Sequence, residues 1–164
     1  MKRPFESLSP GEVLALAIHV ERANSSRFRA FADIFEGYDA EVATRFKELA
    51  VEEDQHERIL TDRFRERFGD TIPTVEEAHV EGVIESVDLD DAEHLIFDSL
   101  QPARVYELAL RAEREARAFY RRAAGASTDE ELSTLYQELA EMETDHESWL
   151  EKKLRVHGGP GGSS

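Results

Sequence analysis

The chain reads as an all-α protein: a four-helix bundle of two duplicated helical hairpins, with a long crossover between helices 2 and 3. Three observations carry that reading. First, the stretch FKELAVEEDQHERIL, Phe46 to Leu60, recurs as YQELAEMETDHESWL, Tyr136 to Leu150, at an offset of 90 residues. The offset pairs Phe46 with Tyr136, Leu49 with Leu139, Ala50 with Ala140, Glu53 with Glu143, His56 with His146, Glu57 with Glu147 and Leu60 with Leu150. Second, apolar residues recur at helical spacing between recognisable start and stop signals. Third, residues 69–102 lack that spacing and have the length that a crossover between parallel helices requires.

Taken in order, the first helix opens at Ser9-Pro10-Gly11-Glu12, an N-cap serine followed by proline and a capping-box glutamate. Leu14, Ala17, Ile18, Phe28, Phe31, Ala32 and Phe35 form its apolar face, up to Gly37. Glu21 falls within that face, where an unpaired carboxylate costs several kcal/mol. The second helix runs from about Ala40 to Phe68, stopped by Gly69 and Pro73. In the connection, Thr71-Ile72-Pro73 reads as extended, and Asp88 can cap a short helix through Phe97. The third helix runs from Pro102 to about Ala124, broken by Gly125. A second capping box at Thr128-Asp129-Glu130-Glu131 starts the fourth, which continues to about Val156. The tail GGPGGSS, residues 158–164, is expected to be flexible, leaving 1–157 as one domain.

Both copies of the repeat carry Glu-x-x-His, which puts Glu53 beside His56 and Glu143 beside His146 on single helix faces. Each pair is half of a metal site. The spacing alone says little: with 36 acids and 6 histidines in 164 residues, about one such pair is expected by chance, and four occur. Glu76 with His79 and Asp91 with His94, the other two, lie in the polar connection and read as surface residues. Two carboxylates and two histidines leave a pair of divalent ions under-coordinated. Helix bundles complete such sites with one glutamate from each of two further helices. Glu21 stands 32 residues before Glu53, and Glu113 stands 30 before Glu143. Ala17 with Ala109 and Phe28 with Tyr120 keep the same offset around them, so the unit of glutamate, helix and Glu-x-x-His occurs twice.

Composition narrows the classes further. The absence of cysteine excludes disulfides, thiolate metal sites, a zinc ribbon and a rubredoxin-type iron centre within this chain. No apolar run approaches about 18 residues and the amino terminus lacks a signal-peptide hydrophobic region, so a soluble, cytoplasmic protein is expected. A net charge of −16 argues against nucleic acid or anionic membrane as partner.

The paired Glu and Glu-x-x-His units resemble the ferritin-like di-iron carboxylate superfamily. The third-helix stretch EREARAFYRRAA, with the two E-x-x-H helices, resembles its rubrerythrin branch. LALAIHVERANSSRF, the run into FGDTIP and AEREARAFYRRAAGASTDEEL resemble most closely the cytoplasmic domain of membrane-bound ferritin-like iron exporters. The likeness covers nearly residues 5–156 and is weakest over 74–100. It implies Glu21 and Glu113 as terminal metal ligands, Glu53 and Glu143 as bridging carboxylates, and His56 and His146 as one nitrogen ligand per metal. It also implies a homodimer, since the family commonly pairs bundles.

Departures from the family pattern shape the functional reading. Many rubrerythrins have an extra glutamate one turn after the third-helix ligand, and here that place is Ala116, which counts against rubrerythrin-style peroxidase chemistry. Glu107 and Glu115 are alternatives to Glu113 if the alignment is gapped. Where bacterioferritin carries its heme-binding methionine this chain has Asp54, so no heme is expected. The exporters' membrane domain would begin at the Gly-rich tail, leaving a stand-alone member or an excised domain of an iron transporter as readings. Hard carboxylates with imidazole suit two iron ions or manganese, and carboxylate-bridged ions lie about 3.5–4 Å apart. Such a pair delivers two electrons together to O2 or H2O2. The expected function is therefore a ferroxidase that binds and oxidises Fe(II). A peroxide-scavenging peroxidase with an external electron donor and a non-catalytic iron-binding module serving a transporter are the alternatives. Tyr120, near the metal on Glu113's helix, is read as a catalytic hydrogen-bond partner or radical scavenger, or else as a plain core aromatic.

Overall fold

The computed structural model describes residues 2–75, 80–81 and 102–157. His79, His94, the helix expected after Asp88 and the Gly-rich tail lie outside the described residues.

Four long helices account for most of the described chain: α1 (Pro10–Phe35), α2 (Ala40–Phe68), α3 (Pro102–Ala126) and α4 (Glu130–His157). Their ends follow from local chemistry. Ser9 caps α1 through the backbone N–H of Glu12, and the Glu12 carboxylate answers to the N–H of Ser9, so the expected capping box forms. Asp39 caps α2 through the N–H of Val42 at 3.2 Å. Gly69, at φ +90, closes α2 in backbone space that side-chain-bearing residues rarely enter. Two expectations need correction. Gly125 does not break α3, which continues through it to Ala126. The cap of α4 is Asp129 and not Thr128: the Asp129 side chain accepts from the N–H of Leu132 at 3.1 Å and is also held by Arg67 of α2. A feature the helical pattern did not announce is a short parallel pairing of β1 (Arg3–Pro4) with β2 (Val80–Glu81), which ties the amino terminus to the connection.

α1 packs against α2 and α3 against α4, as two hairpins. Across the hairpins, Arg67 of α2 meets Asp129 at the start of α4, and Arg45 lies over Trp149 near its end, so these helices run antiparallel. Phe35 stacks on Tyr106 while Tyr120 reaches Glu21, so α1 and α3 run antiparallel too. Phe68 and Pro102 therefore lie at opposite ends of the bundle, as a long crossover requires.

The core divides into two apolar clusters. One contains Phe5, Leu14, Leu60, Phe64, Phe119, Tyr120, Tyr136 and Leu139. The other contains Phe28, Phe31, Phe35, Phe46, Leu49, Tyr106 and Leu150. The repeat partners sit in opposite clusters: Phe46 against Tyr136, Leu49 against Leu139, Leu60 against Leu150 and Phe28 against Tyr120. The duplication thus appears in space as a pseudo-two-fold that exchanges the ends of the bundle. Each buried aromatic or leucine contributes about 1.5–3 kcal/mol, and the two clusters together hold the polar layer between them in a fixed frame.

Candidate metal centre

That layer lies on the pseudo-two-fold. Glu21 comes from α1, Glu53 and His56 from α2, Glu113 from α3, and Glu143 and His146 from α4. All six are buried, with the four carboxylates fully so. They form two overlapping groups. Donor atoms of Glu21, Glu53, His56 and Glu143 lie within 4.8 Å of one another, as do those of Glu53, Glu113, Glu143 and His146. Glu53 and Glu143 belong to both. The six side chains singled out in the sequence are therefore brought together. Glu107 and Glu115 are not among them: they face outward beside Arg104 and Arg111.

Nδ1 of His56 lies 3.5 Å from Glu21, 3.5 Å from Glu53 and 3.4 Å from Glu143. Nδ1 of His146 lies 3.1 Å from Glu53, 3.3 Å from Glu113 and 3.5 Å from Glu143. The two rings are nearly parallel, 12° apart. Yet Glu21 Oε2, Glu113 Oε1, His56 Nδ1 and both oxygens of Glu53 and Glu143 make no hydrogen bond among the described residues. Buried polar atoms are otherwise nearly always paired, and each one left unpaired costs about 1–3 kcal/mol. Here six carboxylate oxygens and one imidazole nitrogen face one small volume.

The electrostatics show the same crowding. Burial, then the charges of Glu53 and Glu143, push the Glu21 carboxyl well above its ordinary value. Burial with Glu143 and Glu53 does the same to Glu113. Burial also opposes the Glu53 carboxylate, but Glu21, His146 and His56 outweigh it and hold Glu53 below the usual range. Glu143 is likewise held low, against burial and Glu53, by Glu113, His146 and His56. Burial disfavours a charged His56, but Glu143, Glu21 and Glu53 override it and push its pKa up to about 12. His146 is raised by Glu113, Glu143 and Glu53 against the same burial. Without a cation the cluster thus keeps protons on Glu21 and Glu113 and a positive charge on each imidazole. Those charges cancel the remaining two carboxylates. Two divalent ions would take the place of those four protons at the same net charge.

Three groups around the cluster complete it. The Tyr120 hydroxyl donates to Glu21 Oε1. It therefore serves the glutamate of the opposite hairpin and not Glu113 of its own helix, and burial with the Glu21 charge raises its pKa well above the ordinary phenol value. Glu52, half-exposed, places Oε2 2.5 Å from Nε2 of His146. Glu147 is buried next to the cluster, with Oε2 3.0 Å from Arg117. Sequence reasoning missed Glu52, because its repeat partner is Met142 and the duplication does not flag it. Glu147 was visible in the repeat, and so was an arginine directly after Glu21 and after Glu113: Arg22 pairs with Glu57 at 2.7 Å and Arg114 approaches Glu147 at 3.6 Å.

Among the described residues no helix is long and apolar enough to cross a membrane. No curated protein matches the chain at a significant level. Solved structures do. An uncharacterized conserved protein from Magnetospirillum magnetotacticum superposes with a TM-score of 0.74 at 23% identity, covering 93% of this chain and 98% of that one. A protein from Thermotoga maritima described as a ferritin-like diiron-carboxylate protein does so with a TM-score of 0.71 at 18% identity, covering 90% and 95%. Rhodobacter capsulatus bacterioferritin follows with 0.70 at 20% identity, covering 99% and 92%. At such identities the likeness establishes the fold, a ferritin-like four-helix bundle. The rubrerythrin family model matches residues 12–154, a span that contains all six converging side chains. The chain belongs to the rubrerythrin family.

Proposed function

We propose that the cluster binds two iron ions and that the protein is a ferroxidase, taking up Fe(II) and oxidising it with O2 or H2O2. One observation supports this reading: seven buried carboxylate and imidazole atoms converge without hydrogen-bond partners among the described residues. A folded chain sustains that arrangement when a cation satisfies the lone pairs. The donor set, oxygen-rich with one imidazole in each group and no sulfur, suits iron or manganese.

In this reading Glu21 and His56 would hold one ion and Glu113 and His146 the other, with Glu53 and Glu143 available to both. A ferrous pair supplies two electrons together, enough to take H2O2 and two protons to two waters, or O2 and two protons to H2O2. The protein's part is to position and to exclude water. The aromatic cluster from Phe28 to Trp149 seals one side of the layer, and Tyr120, stacked on Tyr136, seals the other. Glu52, 40% exposed and in contact with His146, links the centre to the surface.

Ferrous ion as substrate is favoured over a turnover peroxidase because Ala116 occupies the turn after Glu113. The deciding experiment is anaerobic Fe(II) titration of metal-free protein, followed by O2 and separately by H2O2, read as near-ultraviolet absorbance. Two irons per chain, a fast rise with either oxidant and repeated turnover of added Fe(II) are expected. Two irons bound and held without further turnover would instead indicate an iron-delivery module serving a transporter. One iron or none would overturn the di-iron reading.

A further inference from the structure

The repeat makes the two halves of the centre look interchangeable, but two side chains that hydrogen-bond to the converging groups break that equivalence, and both act in the same direction. The first is Glu52. Its Oε2 lies 2.5 Å from Nε2 of His146, the ring nitrogen that faces away from the carboxylate cluster. When a cation displaces the Nδ1 proton, a carboxylate there would keep the remaining ring proton on Nε2, leave the Nδ1 lone pair toward Glu53, Glu113 and Glu143, and raise the basicity of that nitrogen. It also adds a negative charge, tempered by Arg45 at 3.5 Å from the other Glu52 oxygen. The repeat partner of Glu52 is Met142, which brings no charge to His56.

The second is Tyr120. Its hydroxyl occupies Glu21 Oε1, leaving Oε2 as the oxygen nearest His56. A hydrogen bond to a carboxylate draws off part of its charge and takes up lone pairs that would otherwise meet a cation. The repeat partner of Tyr120 is Phe28, which has no hydroxyl, and Glu113 Oε1 is unpartnered.

We propose that the two metal positions are unequal, and that the one built on Glu113 and His146 fills before the one built on Glu21 and His56, with Glu52 and Tyr120 as the positioning residues that set the order. This rests on the reading of the cluster as a two-metal centre. Outer partners of ligating histidines change metal affinity by about ten- to a hundredfold, so a single ion should occupy the His146 position in about nine chains of ten or more.

The test uses zinc, which has no redox chemistry to confuse the readout. One and then two equivalents of Zn(II) are added to the 15N-labelled full chain, and the assigned imidazole nitrogens of His56 and His146 are followed by NMR. Such a site-resolved measurement separates built-in inequality from simple repulsion between two ions, which would slow the second step without choosing a side. Nδ1 of His146 should shift with the first equivalent and that of His56 only with the second. Glu52→Met and Tyr120→Phe each install the residue of the other half. The double variant should distribute the first zinc evenly between the histidines. Parallel shifts in the unmodified protein, His56 shifting first, or an undiminished His146 preference in the double variant would overturn the proposal while the two-metal centre stands. Zinc that shifts neither histidine would overturn both. The unmodified chain alone suffices to refute the order of filling, should a variant fail to fold.

Discussion

Glu147 and Arg117 meet at 3.0 Å beside the cluster, with the carboxylate 3% exposed, whereas the repeat counterpart of Glu147, Glu57, pairs with Arg22 at the surface. Sequence-equivalent acids therefore have unequal energetic roles. Among the described residues, removing Arg117 leaves the buried carboxylate with Arg114 at 3.6 Å. Arg117→Met is expected to cost about 2–4 kcal/mol in urea unfolding of the metal-free protein, and Arg22→Met less than about 1 kcal/mol. Equal losses would show that Glu147 is not effectively buried.

Replacing a shared carboxylate should do more than replacing a terminal one. Glu53→Ala or Glu143→Ala is expected to abolish binding of both ions, because each belongs to both donor groups. Glu113→Ala should leave one ion bound with the affinity of the other reduced at least about tenfold, while Glu107→Ala and Glu115→Ala leave binding unchanged. Calorimetric stoichiometry checks the series. A larger effect at Glu107 or Glu115 than at Glu113 would contradict the register of α3.

The pH dependence follows from the direction of each shift. Glu21 and Glu113 have raised folded-state pKa values, so the native chain keeps protons that the unfolded chain releases once pH passes about 4.5. His56, raised to about 12, and His146, also raised, keep theirs once the unfolded imidazoles titrate near 6.5. Native protons then exceed unfolded ones, and stability falls with rising pH by about 1.4 kcal/mol per unit for each retained proton. Below that window the sign reverses, because the lowered Glu53 and Glu143 lose their contribution as pH falls through their folded values. The metal-free protein is thus expected to be most stable in mild acid and to weaken from about pH 5 to 8. The metal-loaded protein should not weaken over that range and should release up to four protons per pair of ions on loading. Thermal unfolding across pH, with and without Zn(II), measures the difference.

The cap of α4 offers a stability test away from the centre. Asp129 both caps the helix and receives Arg67 from α2. Asp129→Ala should cost about 1–2 kcal/mol by thermal unfolding, and Thr128→Ala less than about 0.5 kcal/mol. The reverse order would restore the cap to Thr128.

Most of the fold was legible in the chain because it rests on local chemistry. The caps at Ser9 and Asp39, the stop at Gly69 and the apolar spacing act within a turn or two of helix, so α1 and α2 lie where their residues place them. The cap of α4 was misread by one residue because Thr128 and Asp129 are both good caps, and only the position of Arg67, 62 residues earlier in the chain, favours Asp129. Glu21, Glu53, His56, Glu113, Glu143 and His146 could be found because duplication wrote each half of the cluster twice at a matched spacing.

What the repeat could not carry is whatever differs between its halves. Tyr120 bonds to Glu21 and Glu52 to His146 across helices 99 and 94 residues apart in sequence, and the repeat partners Phe28 and Met142 have no group to make either contact. Spacing along one helix determines which side chains share its face. Which face meets which is decided by how the two hairpins pack, and that depends on the volumes of Phe46, Tyr106, Tyr120 and Tyr136 acting together in the core.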